Sequence, residues 1–496
     1  MMRAAVLLLA IGISASAHTT FTLPSAGCPL AHCSIFAGNV DAQAPPTAPT
    51  QRHSDANTGS SVGLGCVTSD VTIACTYDNG ATTDPNGNSY CADGGPIDTL
   101  VIYDTSLNIL YHSQCLFDSN AWESVPIISS NGDVFMSDDK YVARISKDAN
   151  THQYPSAGNY TWCMDFSLST PATCGSSGTH LAKLPGPSIS PILLANGTMI
   201  VFATSAPGYI FGFYADDGTF IASKQVTGDC STLHATCPYE TRNTPAASYN
   251  NSNRFYVSMN AYRNFAPYAN VDGYGLLVAL EVNTSSSPNT IDIKWNYAFN
   301  GPSGASPAVV AVSGGSNSAI YFDGFGNNDP RLYRITDTGT TYTSNWVSTS
   351  GDFAARIPAS VTVDTSRNCV WAYALGTHTL KCADLGTTYA IDYTIDTSRF
   401  TTGFPASAMT LTTTSGGDGV LILGIQLVGL NPGKILAIQL VTSGSNFGTQ
   451  YWSSLPSLPG NAEFAPTQFP IITDTSGPYQ NIAFPTNKSR VYLYGN

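Results

Sequence analysis

Charge is scarce in this chain, and positive charge most of all. Asp, Glu, Lys and Arg make up 11% of the 496 residues, and 20 Lys and Arg face 33 Asp and Glu, for a formal net charge of −13. A nucleic-acid-binding surface needs a basic patch or stripe, and none is visible in the sequence. An acidic surface also repels anionic lipid. Histidine is sparse, at eight residues. No C-x-x-C pair and no clustered histidines occur, so the common zinc frameworks are excluded. An H-E-x-x-H helix and a Walker loop are missing too. Beyond residue 17 no apolar run is long enough to cross a bilayer as a helix. The expectation is a protein with no nucleic-acid partner, no membrane partner, no metal and no cofactor.

What is present points to strands. The chain has 44 Gly, 30 Pro and 26 Tyr, and 43% of it is apolar, too much for a disordered polymer. Turn formers combined with β-branched and aromatic residues read as all-β. The first residues read as a secretory leader. Arg3 supplies the positive charge, residues 4–13 the apolar run, and Ala15-Ser16-Ala17 a cleavage site, so that a mature chain would begin at His18. The expected localisation is secreted, or the lumen of the secretory pathway.

The 12 cysteines all follow the leader and fall into close pairs. Nearest-neighbour pairing is the simplest framework: Cys28 with Cys33, Cys66 with Cys75, Cys91 with Cys115, Cys163 with Cys174, Cys230 with Cys237, and Cys369 with Cys382. Glycosylation sequons occur at Asn159, Asn196, Asn250, Asn283 and Asn487.

Residues 190–226 show how the chain is built. They read as short strands at 191–194, 198–204, 209–214 and 219–226, joined by Asn-Gly, Pro-Gly and Asp-Asp-Gly turns. Such a four-stranded meander cannot bury its own faces and needs copies of itself on either side. Inner-strand starts recur at Pro126, Pro191, Pro245, Pro307, Pro358, Pro405 and Pro470, and a copy without proline fits at 61–66. Proline has no N–H, so it suits an inner edge facing a central channel. Second strands are expected at 70–75, 133–137, 198–204, 254–260, 319–323, 369–374, 420–425 and 481–484. Third strands follow at 99–103, 141–145, 209–214, 275–282, 331–335, 379–383, 435–440 and 490–494. Fourth strands carry Trp162, Trp295, Trp346 and Trp452 at or near their ends.

The last copy stops after its third strand, so its fourth should come from the N-terminal side. The reading is therefore an eight-bladed β-propeller of four-stranded antiparallel blades, with seven blades as the alternative. It divides into a leader at 1–17, a segment at 18–57 that supplies a closing strand, and the propeller at 58–496. Residues 44–50 read as extended linker.

The segments LLVALEVN…IDIKW (276–295) and YIFGFYADDGTFIAS (209–223) resemble the repeats of pyrroloquinoline-quinone-like propellers. That resemblance implies the fold over nearly all of the mature chain. It does not carry the cofactor: quinoproteins of this fold hold the quinone with adjacent cysteines or other stacking groups and a calcium ion, and this sequence has no adjacent cysteines. An N-terminal His18 resembles the copper brace of lytic polysaccharide monooxygenases, but those enzymes have a different fold and need a second histidine. Asp84-Pro85-Asn86-Gly87-Asn88 has calcium-loop character but lacks the Gly and Glu that an EF-hand needs at its sixth and twelfth positions, so an inserted polar loop is the plainer reading.

The remaining place for chemistry is the central funnel, where inner-strand entrances meet second-to-third-strand loops. The entrances offer Trp122, Glu123, Arg242, Asn243, Arg356 and Phe404; the loops offer Asn260, Tyr262, Phe265, Asp323 and His378. Aromatic walls with selected polar groups suit an apolar organic ligand. The layout of leader, disulfides, sequons and degenerate propeller is similar to that of secreted fungal hetero-Diels-Alderases of secondary metabolism. That similarity implies a cyclase without metal or redox cofactor, in which Arg242, Arg356 or His378 donates a hydrogen bond to the substrate. Trp122, Glu123, Asn243, Asn260, Tyr262, Phe265, Asp323 and Phe404 would surround the small molecule. A glycan-binding or glycan-cleaving propeller, and a structural or adhesive one, are the alternatives.

Overall fold

The computed structural model describes, with interruptions in several connections, residues 126–452. Outside that stretch it describes His18, Phe21, and residues 40–43, 50–51, 82–84, 86, 88–93, 99–103, 109–112, 455, 471–473, 481–486 and 490–495. Among these residues the strands form eight sheets, each built around an antiparallel four-stranded meander. Among the described residues, regular helix is confined to one short 3-10 turn at Thr397–Arg399.

The third sheet shows the pattern: Ile189–Leu193, Met199–Ser205, Tyr209–Tyr214 and Phe220–Gln225 pair in sequence order. The fifth (Ala308–Ala311, Ser318–Gly324, Arg331–Asp337, Tyr342–Val347) and the sixth (Thr362–Asp364, Cys369–Tyr373, Thr379–Asp384, Ile391–Asp396) repeat it. Each sheet is covered by its neighbours on both faces. That is why Ser318–Gly324 and Cys369–Tyr373 are buried at every position instead of alternating.

The core accordingly lies between successive sheets. Phe202 and Ile210 of the third sheet pack with Phe255 and Val278 of the fourth. Tyr256 and Trp295 of the fourth meet Ile320 and Tyr333 of the fifth. Trp371 and Cys382 of the sixth meet Leu421 and Ile438 of the seventh.

The expected tryptophans bridge these sheets. Trp162 Nε1 donates to Ala215 O of the third sheet at 3.0 Å, Trp295 Nε1 to Asp337 Oδ1 of the fifth at 3.1 Å, and Trp346 Nε1 to Gly386 O of the sixth at 3.0 Å. Each reaches from a fourth strand to the next sheet's third-to-fourth-strand turn. Their positions along the strand vary: Trp162 opens Trp162–Asp165, whereas Trp295 sits inside Thr290–Asn300.

The N-terminal segment contributes twice. Thr50–Gln51 pairs antiparallel with Arg490–Gly495, so the eighth sheet takes its outer strand from the start of the chain. Thr50 therefore belongs to a strand, at the edge of the stretch read as linker. Val40–Gln43 adds a strand not anticipated from the sequence, parallel to Thr410–Thr413 of the seventh sheet. Thr82–Thr83 lies against both Ile127–Ile128 and Ile471–Thr473, making the first and last sheets neighbours.

The first sheet corrects the strand assignment. The strand paired with Thr99–Tyr103 is Ser89–Asp93, and the innermost is Thr82–Thr83. The segments read as those strands, 61–66 and 70–75, lie outside the described residues. The polar stretch at Asp84 is the hairpin turn between the inner two strands. Asp84 is buried and accepts from the main-chain N–H of Asn86 and Asn88, from Asn88 Nδ2 and from Tyr90 OH, at 2.8–3.0 Å. A carboxylate so engaged shapes a turn.

Two disulfides are formed among the described residues, Cys163–Cys174 and Cys369–Cys382, with Cα atoms 5.4 and 5.6 Å apart. Cys91 lies in Ser89–Asp93 and buried Cys237 in Thr236–Glu240. Cys28, Cys33, Cys66, Cys75, Cys115 and Cys230 lie outside the described residues.

Candidate functional site

Strands that run up and down put their connections on alternate faces. First-to-second and third-to-fourth turns share one face; second-to-third loops and sheet-to-sheet connections share the other. Asn243, Asn260, Asp323, His378 and Phe404 all fall at the second of these faces, the one read as the funnel mouth.

The structure brings two of them together through a residue that sequence reasoning missed. Ser303 lies in the connection between the fourth and fifth sheets. Asn260 Nδ2 donates to Ser303 O at 3.0 Å, Ser303 N donates to Asn260 Oδ1 at 2.7 Å, and Ser303 Oγ donates to Asp323 Oδ1 at 2.6 Å. Asp323 is 1% exposed and Ser303 is also buried. Two neighbouring sheets are thus joined at their loop ends by one polar network. The signal available for Ser303 was its position, just before the Ser306-Pro307 start of an inner strand.

The same entrances carry a chain of hydroxyl clasps. Thr244 N donates to Ser306 Oγ at 2.8 Å, and Ser306 N donates to Ser360 Oγ at 2.9 Å, linking the fourth, fifth and sixth sheets in turn. Asn243 is buried, and its Nδ2 donates to the carbonyl and hydroxyl of Ser258 at 3.2 and 3.0 Å. These bonds fix the entrance to the fourth sheet.

His378 reaches the connection that leads into Phe404. His378 Nδ1 lies 2.8 Å from Gly403 O, beside Phe404, and both side chains are half-buried. A carbonyl oxygen only accepts, so Nδ1 carries a proton, and Nε2 is the ring nitrogen left for a ligand. Trp122, Glu123, Arg242, Tyr262, Phe265 and Arg356 lie outside the described residues.

On the opposite face stands a different cluster. His18 stacks on Tyr214, with ring centroids 3.7 Å apart and an interplanar angle of 16°. Its Nδ1 lies 3.2 and 3.1 Å from the two carboxylate oxygens of Asp216, in the third-to-fourth-strand turn of the third sheet. Asp217 completes a group whose ligand-capable atoms all lie within 4.8 Å of one another, the one group of its kind among the described residues. Phe21 anchors the segment. It is 4% exposed, packs edge-on against Phe135, lies under the Arg144 guanidinium at 4.9 Å, and donates its N–H to Gly197 O at 3.2 Å.

No family profile and no curated protein sequence matches the chain. Solved structures do. A europium-containing methanol dehydrogenase aligns over 92% of this chain and 89% of its own, at 11% identity and a TM-score of 0.53. Sqt1 of Saccharomyces cerevisiae aligns over 86% and 96%, at 11% identity and a TM-score of 0.52. The chain is a β-propeller, and at these identities the likeness is one of fold. The sequence has no adjacent cysteines, and among the described residues the one cation-capable group sits on the face opposite the one that carries Asn260, Asp323 and His378.

Of the sequons within the described residues, Asn196 is exposed in its turn, and Asn250 and Asn283 are half-buried. Asn250 Oδ1 accepts from Ser318 Oγ, and Asn283 Oδ1 from the main-chain N–H of Ser285 and Ser286. Asn159 and Asn487 lie outside the described residues.

Proposed function

We propose that this β-propeller is secreted and binds an apolar organic small molecule at the mouth of its funnel, on the face that carries Asn260, Ser303, Asp323 and His378. The observation behind the reading is the network joining Asn260, Ser303 and Asp323 across two sheets. Polar groups held by their neighbours before a ligand arrives cost little further ordering on binding. His378, with its proton fixed on Nδ1, offers Nε2 to a ligand hydroxyl. The apolar leader and the two disulfides support secretion.

The chemistry proposed is a cycloaddition of the hetero-Diels-Alder type. It needs two partners held at near-attack distance more than it needs a nucleophile, and loop ends held rigid by a polar network are suited to that.

Native mass spectrometry tests the reading. The secreted protein is presented with a panel of terpene- and polyketide-like compounds and, separately, with oligosaccharides, alongside His378→Ala and Asn260→Ala. One-to-one binding of an apolar compound, weakened at least about tenfold in His378→Ala, supports the assignment. Binding confined to oligosaccharides, or unchanged in both variants, overturns it.

A further inference from the structure

The cluster at His18 belongs to the face opposite the funnel mouth and has no part in the proposed ligand site. We propose that His18, Asp216 and Asp217 form a binding site for a divalent transition-metal ion, completed when the leader is removed and His18 becomes the N-terminal residue. This inference rests on the secretion reading only for the source of that new terminus.

The separations carry the argument. Two ligand atoms each about 2.0–2.2 Å from one tetrahedral ion stand roughly 3.3–3.6 Å apart. His18 Nδ1 hydrogen-bonds the Asp216 oxygens at 3.1 and 3.2 Å, a few tenths of an ångström inside that spacing, and an oxygen of Asp217 lies within the same 4.8 Å group, so a small outward shift of the imidazole admits an ion. The two side chains of the pair are 23% and 14% exposed, so an ion could enter without unfolding the turn.

Processing would add a fourth donor. Before cleavage the His18 nitrogen is an amide and coordinates poorly. After cleavage it is an amine two bonds from Cβ, and amine and Nδ1 together close a six-membered chelate on one ion. Two nitrogens and two carboxylates make a donor set suited to Zn2+ and its neighbours, in contrast to the all-oxygen shells of calcium.

The surroundings hold the site in place. Tyr214 stacks on the imidazole, Phe21 is buried three residues on, and Asp217 Oδ1 accepts from Thr219 N at 2.8 Å, fixing the turn. Arg144 donates to the main-chain oxygen of Asp216 at 2.6 Å and is paired with Asp133 at 2.8 Å, which offsets its charge.

The test is a Zn2+ titration by calorimetry on the chain beginning at His18, on the same chain with Ala17 retained, and on His18→Gln and Asp216→Asn made in the His18 form. One equivalent should bind to the His18 form. Affinity should fall at least tenfold when Ala17 is retained, and at least tenfold in each variant. Thermal unfolding without metal confirms that each variant is folded, and the Ala17-retained chain keeps the test open should a substitution fail to fold. No binding by the His18 form, or equal binding by all four proteins, overturns the site. Sequencing the N-terminus of the secreted protein separates the two readings: a start elsewhere than His18 defeats the processing step, while Zn2+ binding by the His18 form still upholds the cluster.

Discussion

Asp337 ties the fourth sheet to the fifth, and replacing it with asparagine measures how strongly. The carboxylate is fully buried. It accepts from Arg254 Nη1 at 2.9 Å, Tyr256 OH at 2.6 Å, Trp295 Nε1 at 3.1 Å and Gly339 N at 2.9 Å. Arg254 Nη1 donates to both oxygens, at 3.2 and 2.9 Å, so an asparagine amide nitrogen would face the guanidinium whichever way it turned. Arg254 is 5% exposed and would keep only Glu281, at 2.6 Å, as a charged partner.

Breaking a buried pair from one side costs about 3–5 kcal/mol, largely because the other charge stays behind. At roughly 2.1 cal/mol/K per residue, the 496-residue chain has an unfolding entropy near 1 kcal/mol/K, so each kcal/mol lowers Tm by about 1 °C. Asp337→Asn should therefore lower Tm by about 3–5 °C in a fluorescence-monitored melt. Removing both charges in Arg254→Met with Asp337→Leu should recover more than half of that loss, since no charge is left unpaired. A fall under about 1 °C for the single variant, or a double variant worse than the single, would refute the reasoning.

Four further outcomes are expected. Burial pushes the Glu281 carboxyl up, but Lys294 and Arg254 outweigh it and hold its pKa below the ordinary glutamate value. Its contribution is therefore present above the unfolded-state value and lost as pH falls through the folded one. Melts from about pH 6 to about pH 3 should show a smaller acid loss in Glu281→Gln than in the parent, and equal losses would count against the pairing. Phe21→Ala should cost about 3–5 kcal/mol, read as a similar number of degrees in Tm, because it empties a packed site between the second and third sheets. Replacing both cysteines of either described disulfide with serine should cost about 3 kcal/mol, the loop-closure value for spans of this size, and a melt of each double variant measures it. Gly218 has φ +74 and an added Cβ would lie 2.7 Å from Trp162, whereas Gly339, at φ +101, has open space around it. Gly218→Ala should thus lower Tm further than Gly339→Ala, and equal shifts would show that the backbone alone sets the cost.

The repeat was legible because its signals are local. A proline at an inner edge, an Asn-Gly or Asp-Gly turn and a run of alternating or continuous apolar residues act within a few positions of one another. The third strands at Thr99–Tyr103, Tyr141–Ile145 and Tyr209–Tyr214 consequently fall where the sequence placed them. The first sheet was misassigned at its inner strands because a buried turn carboxylate, Asp84, looks in sequence like any polar loop residue. Its role depends on Tyr90 and Asn88 folding back onto it.

By itself the sequence determined the all-β class, the meander unit and its repetition, since these follow from hydrophobic period and turn chemistry. Tertiary structure decided which distant residues meet. Ser303 joins Asn260 to Asp323, Arg254 and Tyr256 converge on Asp337, and His18 reaches Asp216 across 198 positions. Such contacts leave no periodic trace. They are set by how neighbouring sheets stack and by where the N-terminal segment lands, and the chain does not write either of those at adjacent positions.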